Sequence, residues 1–589
     1  MNQSLISSIR QIWKHLSPRR HYQFGLLILL AIITSFFEIV SLGAVLPFIS
    51  VITQPDEALK YEVVSYFAEM AGITSGDELV LPIAISFALA AIITALFRLL
   101  LLWGTLQLGN ASGVDLGVDV YRKTLFQPYS AHLTKSTSEI ISVITLKVGI
   151  VASVLLSLVT LTTSMFLFFA IIATLISVDP FIAFISAVSF SLIYVFIGVF
   201  SSKRLTSNSI SIASEQNFIV KALQEGLGSI RDVLLDSNQM IYIKNYEQAA
   251  TKLRHGNSQN AFINQFPRFI LESLALVLIS IFVLSLSSTK DGITQALPIL
   301  AMVALGAQRL LPIVQQIYGN WSVIMGNKAA LIDVLSLLNR ELPEQVNMLS
   351  LKPMEFKESI EFKNVSFRYN KSSPWVFQDV NLTIPKGSTV GIIGSTGSGK
   401  STFVDILMSL LSPSTGSIFI DRKELYSDLH QASWQSSLAH VPQSIYLTDA
   451  SVAENIAFGV HGDKININRV HEAAKKAQIS EFIENSPEGY DAVVGERGVR
   501  LSGGQRQRIG IARALYKKAS VIIFDEATSA LDDKTEDAVM KTIDGLGKEL
   551  TMFIIAHRLT TLKNCTHIIE LKDCKLNRIG TYKEILESN

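Results

Sequence analysis

Residues 389–402 read TVGIIGSTGSGKST, a buried-strand pattern that breaks into a glycine loop and then runs into a helix. Gly394, Gly399, Lys400 and Ser401 stand at the G-x-x-x-x-G-K-[ST] spacing of a phosphate-binding P-loop. Glycines at these positions let backbone N–H groups curl around phosphate oxygens where a Cβ would obstruct them. The helix that follows adds the partial positive charge of its N-terminus. The stretch Gly394, Ser395, Thr396, Gly397, Ser398 and Gly399 forms the cradle, and Lys400 brings a compact cation to the β- and γ-phosphates. The hydroxyls of Ser401 and Thr402 complete the site, with Ser401 suited to Mg²⁺. The pattern implies a site for a nucleoside triphosphate.

Around this stretch the composition is divided. A chain of 589 residues is too long for one core and predicts more than one domain. Its residues are 49% hydrophobic and only 17% charged, with mean hydropathy +0.36, and the long apolar runs lie almost entirely before residue 325. An all-α membrane-spanning half joined to a soluble α/β half follows. The net charge of +1 excludes the basic field of a nucleic-acid binder, so no nucleic-acid partner is expected. The two cysteines, Cys565 and Cys574, fall in the soluble half and read as reduced thiols rather than as a disulfide or metal site.

Six spans are expected at 22–52, 80–107, 147–177, 180–202, 261–287 and 292–324, each long enough for roughly 30 Å of hydrocarbon. Arg10, Lys14, Arg19 and Arg20 precede the first, placing the N-terminus in the cytoplasm by the positive-inside rule. The acidic connection from Gln54 to Glu78 suits the outer side, and VVSYFAEMAG within it could lie on the membrane as an amphipathic helix. The inner connections keep helical periodicity. They are expected to carry the spans onward as helical hairpins, turning near Gln127–Ser138 and Leu223–Asp232, with tips suited to docking on the soluble half. Domains are placed at 1–338 for the membrane region, 339–356 for a linker with Pro343 and Pro353, and 357–589 for the soluble domain, which opens with the alternating SIEFKNVSFRY.

Downstream of the P-loop, VIIFDE at 521–526 is a buried strand ending in two acids. Asp525 suits the carboxylate in a Mg²⁺ shell, and Glu526 suits the base that polarises attacking water. LSGGQ at 501–505 leads into RQRIGIARALYKK. Ser502 is a natural N-cap and Gly503 and Gly504 keep the backbone open, making a second anion-binding helix terminus that includes Gln505. A P-loop with this pentapeptide resembles the nucleotide-binding domain of ATP-binding cassette (ABC) transporters. Six spans ahead of the cassette extend the resemblance over essentially the whole chain, in the layout of an exporter-type half-transporter.

The resemblance implies roles for further residues. Tyr369 matches the aromatic that stacks on adenine, and Gln443 the glutamine that contacts Mg²⁺ and water. Gly495–Gly498 matches a segment touching the coupling helices, Ser529–Asp532 a loop crossing the dimer interface, and His557 the histidine at the γ-phosphate. In this family ATP lies between the P-loop of one cassette and the signature of another, so one chain requires a second half-transporter, an identical chain or a related one. The implied protein is an ATP-hydrolysing exporter or flippase in the inner (plasma) membrane, with ATP and Mg²⁺ as its nucleotide and metal and its cassette cytoplasmic. The first-span stretch SFFEIVSLGAVLPFISVI is similar to bacterial flippases of lipid-linked oligosaccharides, pointing to an amphipathic or lipid-linked substrate and membrane lipid as partner. Exporters of other lipids, peptides or drugs, and a membrane ATPase used only as a switch, are the rival readings. Gln308, Arg309, Gln315, Gln316 and Asn320 share one side of the sixth span, a stripe lipid would not tolerate. Arg309 and Arg98 are the candidates to guide an anionic head group, with Glu38 and Glu272 as further polar positions and an Arg98–Glu38 pair as the structural alternative.

Overall fold

The computed structural model describes residues 4–43, 48, 76–178, 180–287, 310–342, 352–426, 428–526, 533–544, 550–556 and 562–587. They form two compact units, 1–126 with 134–341, and 127–133 with 342–589. The expected surface helix in the outer connection, Gln308, Arg309, most of the linker, Asp532 and His557 lie outside the described residues.

The first unit is helical. Its main elements are α1 (Leu5–His15), α2 (Pro18–Gly43), α3 (Gly76–Leu125), α4 (Val148–Val178), α5 (Pro180–Gly228), α6 (Gln239–Ser287), α7 (Leu310–Gly326) and α8 (Lys328–Leu338). Among the described residues three helices are long and apolar enough to cross a membrane, at Pro18–Ser41, Val80–Leu125 and Thr137–Ala173, or four if α7 and α8, bent by 54°, count as one. Helices α5 and α6 run through the fourth and fifth expected spans, and α7 is the described part of the sixth. The 50 residues of α3 extend about 75 Å at 1.5 Å per residue, more than twice a roughly 30 Å hydrocarbon core, so the helix continues well beyond the membrane, as the sequence implies.

The first inner reversal falls where expected, through the short helices Tyr129–Thr134 and Thr137–Ser142. The second begins where expected and extends a few residues further. Helix α5 continues to Gly228, Ile230–Leu235 adds another turn, and the chain reverses at Ser237, whose φ of 54° lets the Asn238 N–H return to the Val233 carbonyl at 3.0 Å. That is a left-handed C-terminal cap built without glycine.

Helices α3 and α4 approach closely along Gly109, Gly113 and Gly117. A Cβ at Gly113 would lie 2.9 Å from the Ala152 Cβ, and one at Gly109 2.1 Å from the Leu156 Cδ2. Small residues four apart are how membrane helices bring their backbones together. Leu156 has rotamers to move, whereas Ala152 has none. Gly113→Leu is therefore expected to force the helices apart and destabilise the unit by about 1–3 kcal/mol, read as a lower unfolding temperature in detergent. An unchanged transition would show that this contact does not set the helix spacing.

Between the short helix Thr137–Ser142 and α4, Val143–Lys147 forms one π-helical turn. Lys147 there is fully buried and donates to Asp333 on α8 at 2.5 Å and to Asn217 on α5 at 2.9 Å. Lys147 is buried while the Asp333 carboxylate keeps contact with the surface, and the two bonds tie three helices together through one ammonium.

In the second unit β1 (Ser359–Phe367), β2 (Phe377–Pro385), β4 (Thr415–Ile420) and β5 (Lys423–Glu424) form an antiparallel sheet in the order β2-β1-β4-β5. A second sheet has the order β10-β9-β3-β8-β7-β6, built from β3 (Thr389–Ile393), β6 (Leu438–Val441), β7 (Val521–Asp525), β8 (Thr551–Ile555), β9 (His567–Lys572) and β10 (Lys575–Gly580). Its strands are parallel except β10. Continuous apolar runs such as VIIF at 521–524 are all buried, as a parallel sheet covered on both faces requires. Helix α9 (Lys400–Leu407) buries Phe403, Val404, Ile406 and Leu407 between the sheets, with Phe403 stacked on Phe362 at 4.9 Å. This packing fixes the helix whose N-terminus faces the phosphate loop.

Candidate functional site: a nucleotide cassette

The parallel register levels the strand ends. Ile392 on β3 pairs with Ile555 on β8, which pairs with Asp525 on β7. The P-loop and the paired acids therefore emerge on the same edge with one strand between them, about 10 Å apart at the ordinary strand spacing. Crevices at the carboxyl ends of parallel strands are where such folds bind ligands.

Within the loop Gly394 has φ 154° and Gly399 φ 93°, and a Cβ on Gly394 would stand 2.4 Å from the Leu571 carbonyl oxygen. Only glycine fits there. The Lys400 ammonium, largely buried, donates to the carbonyls of Gly394 at 2.8 Å and Ser395 at 3.1 Å. The Ser398 hydroxyl is buried with no hydrogen-bond partner among the described residues. A cradle closed to Cβ, a lysine folded over it and a buried hydroxyl awaiting an acceptor fit triphosphate oxygens. Tyr369 exposes about half its surface and sets its hydroxyl 2.9 Å from the Thr402 Oγ1 at the start of α9. Its ring is thus near the phosphate loop and open to a base.

At the end of β7, Glu526 takes φ 50°, a conformation that costs a non-glycine residue about 1–3 kcal/mol. Its N–H donates to the Ile555 carbonyl at 3.1 Å and its carboxylate accepts from the Gln443 Nε2 at 2.6 Å. Gln443 follows β6, whose Val441 pairs with Phe524. Three strands thus deliver the P-loop, the two acids and Gln443 to one edge. Ser401, Gln443 and Asp525 offer oxygen donors alone, few in number, which fits Mg²⁺ held largely by phosphates and water. Burial first, and the Asp525 charge second, push the Asp405 carboxyl on α9 up to about 6.

Ser502 opens α10 (Gly503–Lys517) with a full capping box. Its hydroxyl accepts from the Gln505 N–H at 3.2 Å, and the Gln505 side chain accepts from the Ser502 N–H at 2.8 Å. This leaves the N–H groups of Gly503 and Gly504 at an open helix start. Two residues near the site have no motif to announce them. One is Asp405. The other is Tyr129, counted with the second unit, whose phenol is raised by burial first, then by Asp405 and Tyr369. In the membrane unit Arg98 is ion-paired with Glu38, and Glu272 with Arg268 on the same helix at 2.6 Å. The Gln316 side chain accepts from Ser164 at 2.9 Å.

Residues 377–529 match the ABC transporter family model and residues 24–307 the ABC transporter transmembrane region. The chain belongs to the ABC transporter family. A membrane region followed by one cassette is the half-transporter layout of an exporter, in which the chain crosses the membrane several times. It is 33% identical over 377 residues to an ATP-dependent lipid A-core flippase of Methylococcus capsulatus, a match covering 62% of each chain. Over 233 residues it is 42% identical to the alpha-hemolysin translocation ATP-binding protein of Escherichia coli O157:H7, covering 39% of this chain and 32% of that one. The chain thus spans less than two thirds of the length of these relatives. A bacterial Atm1-family ABC exporter solved with ATP bound has the same fold, with a TM-score of 0.77, 23% identity and coverage of 97% and 96%.

Proposed function

We propose that this ABC half-transporter pairs with a second one, taken as an identical chain, and uses ATP hydrolysis to flip an amphipathic lipid-linked saccharide across the inner membrane. The meeting of the P-loop, Asp525, Glu526 and Gln443 at one edge of the cassette, in a chain whose other half is membrane helices, carries this reading. Lys400 and the loop N–H groups would bind the triphosphate, and Ser401, Gln443 and Asp525 would hold Mg²⁺, which would supply positive charge at the phosphates. Glu526 polarises the water, His557 contacts the γ-phosphate, and Tyr369 stacks on adenine. Ser502, Gly503, Gly504 and Gln505, with Asp532, close the nucleotide of the partner chain.

In the membrane unit Arg309 and Arg98 guide the anionic head group. Arg98 remains half exposed despite its pair with Glu38, so its guanidinium fork retains donors for a phosphate. The lipid A-core flippases among the relatives make other glycolipids the nearest rival substrates. In vesicles containing the purified chain, ATP should drive movement of a fluorescent polyprenyl-pyrophosphate saccharide, and Arg309→Ala should slow it while basal ATPase and assembly stay near wild type. Movement of a lipid A-type probe alone would reassign the substrate, and ATPase without movement of any lipid, peptide or drug would favour a switch.

A further inference from the structure

Helices α4, α5 and α7 enclose a cavity of about 610 Å³ in the membrane unit, lined by Phe168, Val195, Val199, Ile317 and Trp321 together with Tyr194. This is the size and apolar character of a ligand pocket. Val195, Phe196, Val199 and Phe200 beside it are exposed, so its mouth continues into an exposed apolar face of α5. Tyr194 and Tyr318 lie at this cavity with rings 5.3 Å apart. The Tyr318 hydroxyl donates to the Ile263 carbonyl at 3.1 Å, whereas the Tyr194 hydroxyl, on a residue only 5% exposed, has no partner among the described residues. A buried donor without an acceptor at membrane depth is costly and marks a place where a polar group is to arrive.

Depth narrows the occupant. Tyr194 lies about 21 Å along α5 from Pro180, and about 12 Å short of the expected inner end of that span at residue 202, at a rise of ~1.5 Å per residue. The cavity therefore opens among the chains of the inner leaflet. An acyl chain of bulk phospholipid offers the phenol only a neutral ester carbonyl, whereas a lipid whose hydrocarbon chain ends directly in phosphate fills the cavity and offers a charged acceptor, the stronger partner.

We propose that this cavity receives the hydrocarbon chain of the transported lipid from the inner leaflet, with the Tyr194 hydroxyl donating to the first oxygen at the chain's head. The inference rests on the lipid-substrate reading given above. Gly198 offers a way to close the cavity, because a Cβ there would point at the Trp321 ring from 3.6 Å without a clash, so Gly198→Leu fills space without overpacking a backbone.

The probe is a diazirine-bearing polyprenyl phosphate in vesicles holding the full-length chain, with a diazirine diacyl phospholipid as comparison. Photolabelling by the first should map to α4, α5 and α7, fall about tenfold in Gly198→Leu, and fall several-fold in Tyr194→Phe. Labelling by a polyprene lacking phosphate should be unchanged in Tyr194→Phe, a split that loss of folding would not produce. Basal ATPase and dimer assembly should stay near wild type in both variants. Equal labelling by the diacyl phospholipid, or wild-type labelling in both variants, overturns the inference. If ATP moves the saccharide lipid in vesicles while the cavity stays unlabelled, the inference alone fails. If neither lipid is moved by the wild type, the substrate reading fails with it.

Discussion

Glu526→Gln is expected to lower ATP turnover by roughly 10²–10⁴-fold, the span of a lost general base, while ATP still binds. The substitution keeps the shape of the side chain, so the backbone at φ 50° and the hydrogen bond that the residue's N–H donates to the Ile555 carbonyl have no reason to change. What disappears is the negative oxygen that now accepts from Gln443 at 2.6 Å and would accept a proton from water. Because the loop and Lys400, which would hold the triphosphate, stand on the other side of β8, affinity should survive, and the nucleotide-closed form of the proposed dimer should accumulate. Lys400→Ala supplies the contrast. It removes the cation itself, so there the loss should appear in binding. Phosphate release and equilibrium nucleotide binding, measured on both variants, separate the two. Wild-type turnover in Glu526→Gln would remove Glu526 from the role of base.

The sequence revealed those features of the cassette whose chemistry demands contiguous residues. A loop of backbone N–H groups has to be local, so TVGIIGSTGSGKST and LSGGQ are legible on their own, and VIIFDE shows a strand by its apolar run and a site by its acids. Contacts made by folding left less trace. The resemblance puts Gln443 and Glu526, 83 residues apart, at one water, but Lys147 and Asp333 are 186 apart and nothing in either of their segments announces the other. The pairing of Arg98 with Glu38 was available as the structural alternative because two opposite charges in apolar spans have few other ways to be satisfied. Glu272 was open to a simpler reading, since Arg268 lies one turn before it and i,i+4 ions pair within a helix. The glycines at 109, 113 and 117 carried their packing role in their spacing, which apolar composition alone obscured. The second inner reversal begins at its glycines, where α5 ends at Gly228, and a serine at φ 54° caps the short helix that follows.

Mixing two inactive chains is expected to restore ATPase, because in the proposed dimer each chain would contribute a different half to every site. Ser502→Arg breaks the capping box that orders the start of α10 and sets a bulky cation where an open helix terminus should meet a partner's nucleotide. Lys400→Ala disables the P-loop. A dimer of either variant alone damages both of its sites, but in a mixed dimer both lesions fall on one site and the other keeps an intact P-loop facing an intact signature. Random pairing of equal amounts would leave about a quarter of wild-type ATPase if the sites act independently, since about half the dimers would be mixed and each would retain one site of two in a two-fold arrangement. Differently tagged chains, purified by both tags in turn, would raise that to about half. A doubly mutated Ser502→Arg, Lys400→Ala chain paired with wild type is the negative control, because it damages the P-loop half of one site and the signature half of the other, and so predicts no recovery beyond residual wild-type dimers. Activity that tracks the mixed dimer and vanishes in that control places each site across two chains. Verified mixed dimers without turnover would mean that a single working site is not enough or that the sites are not shared, and trapping of labelled ATP on one chain alone would decide for the second.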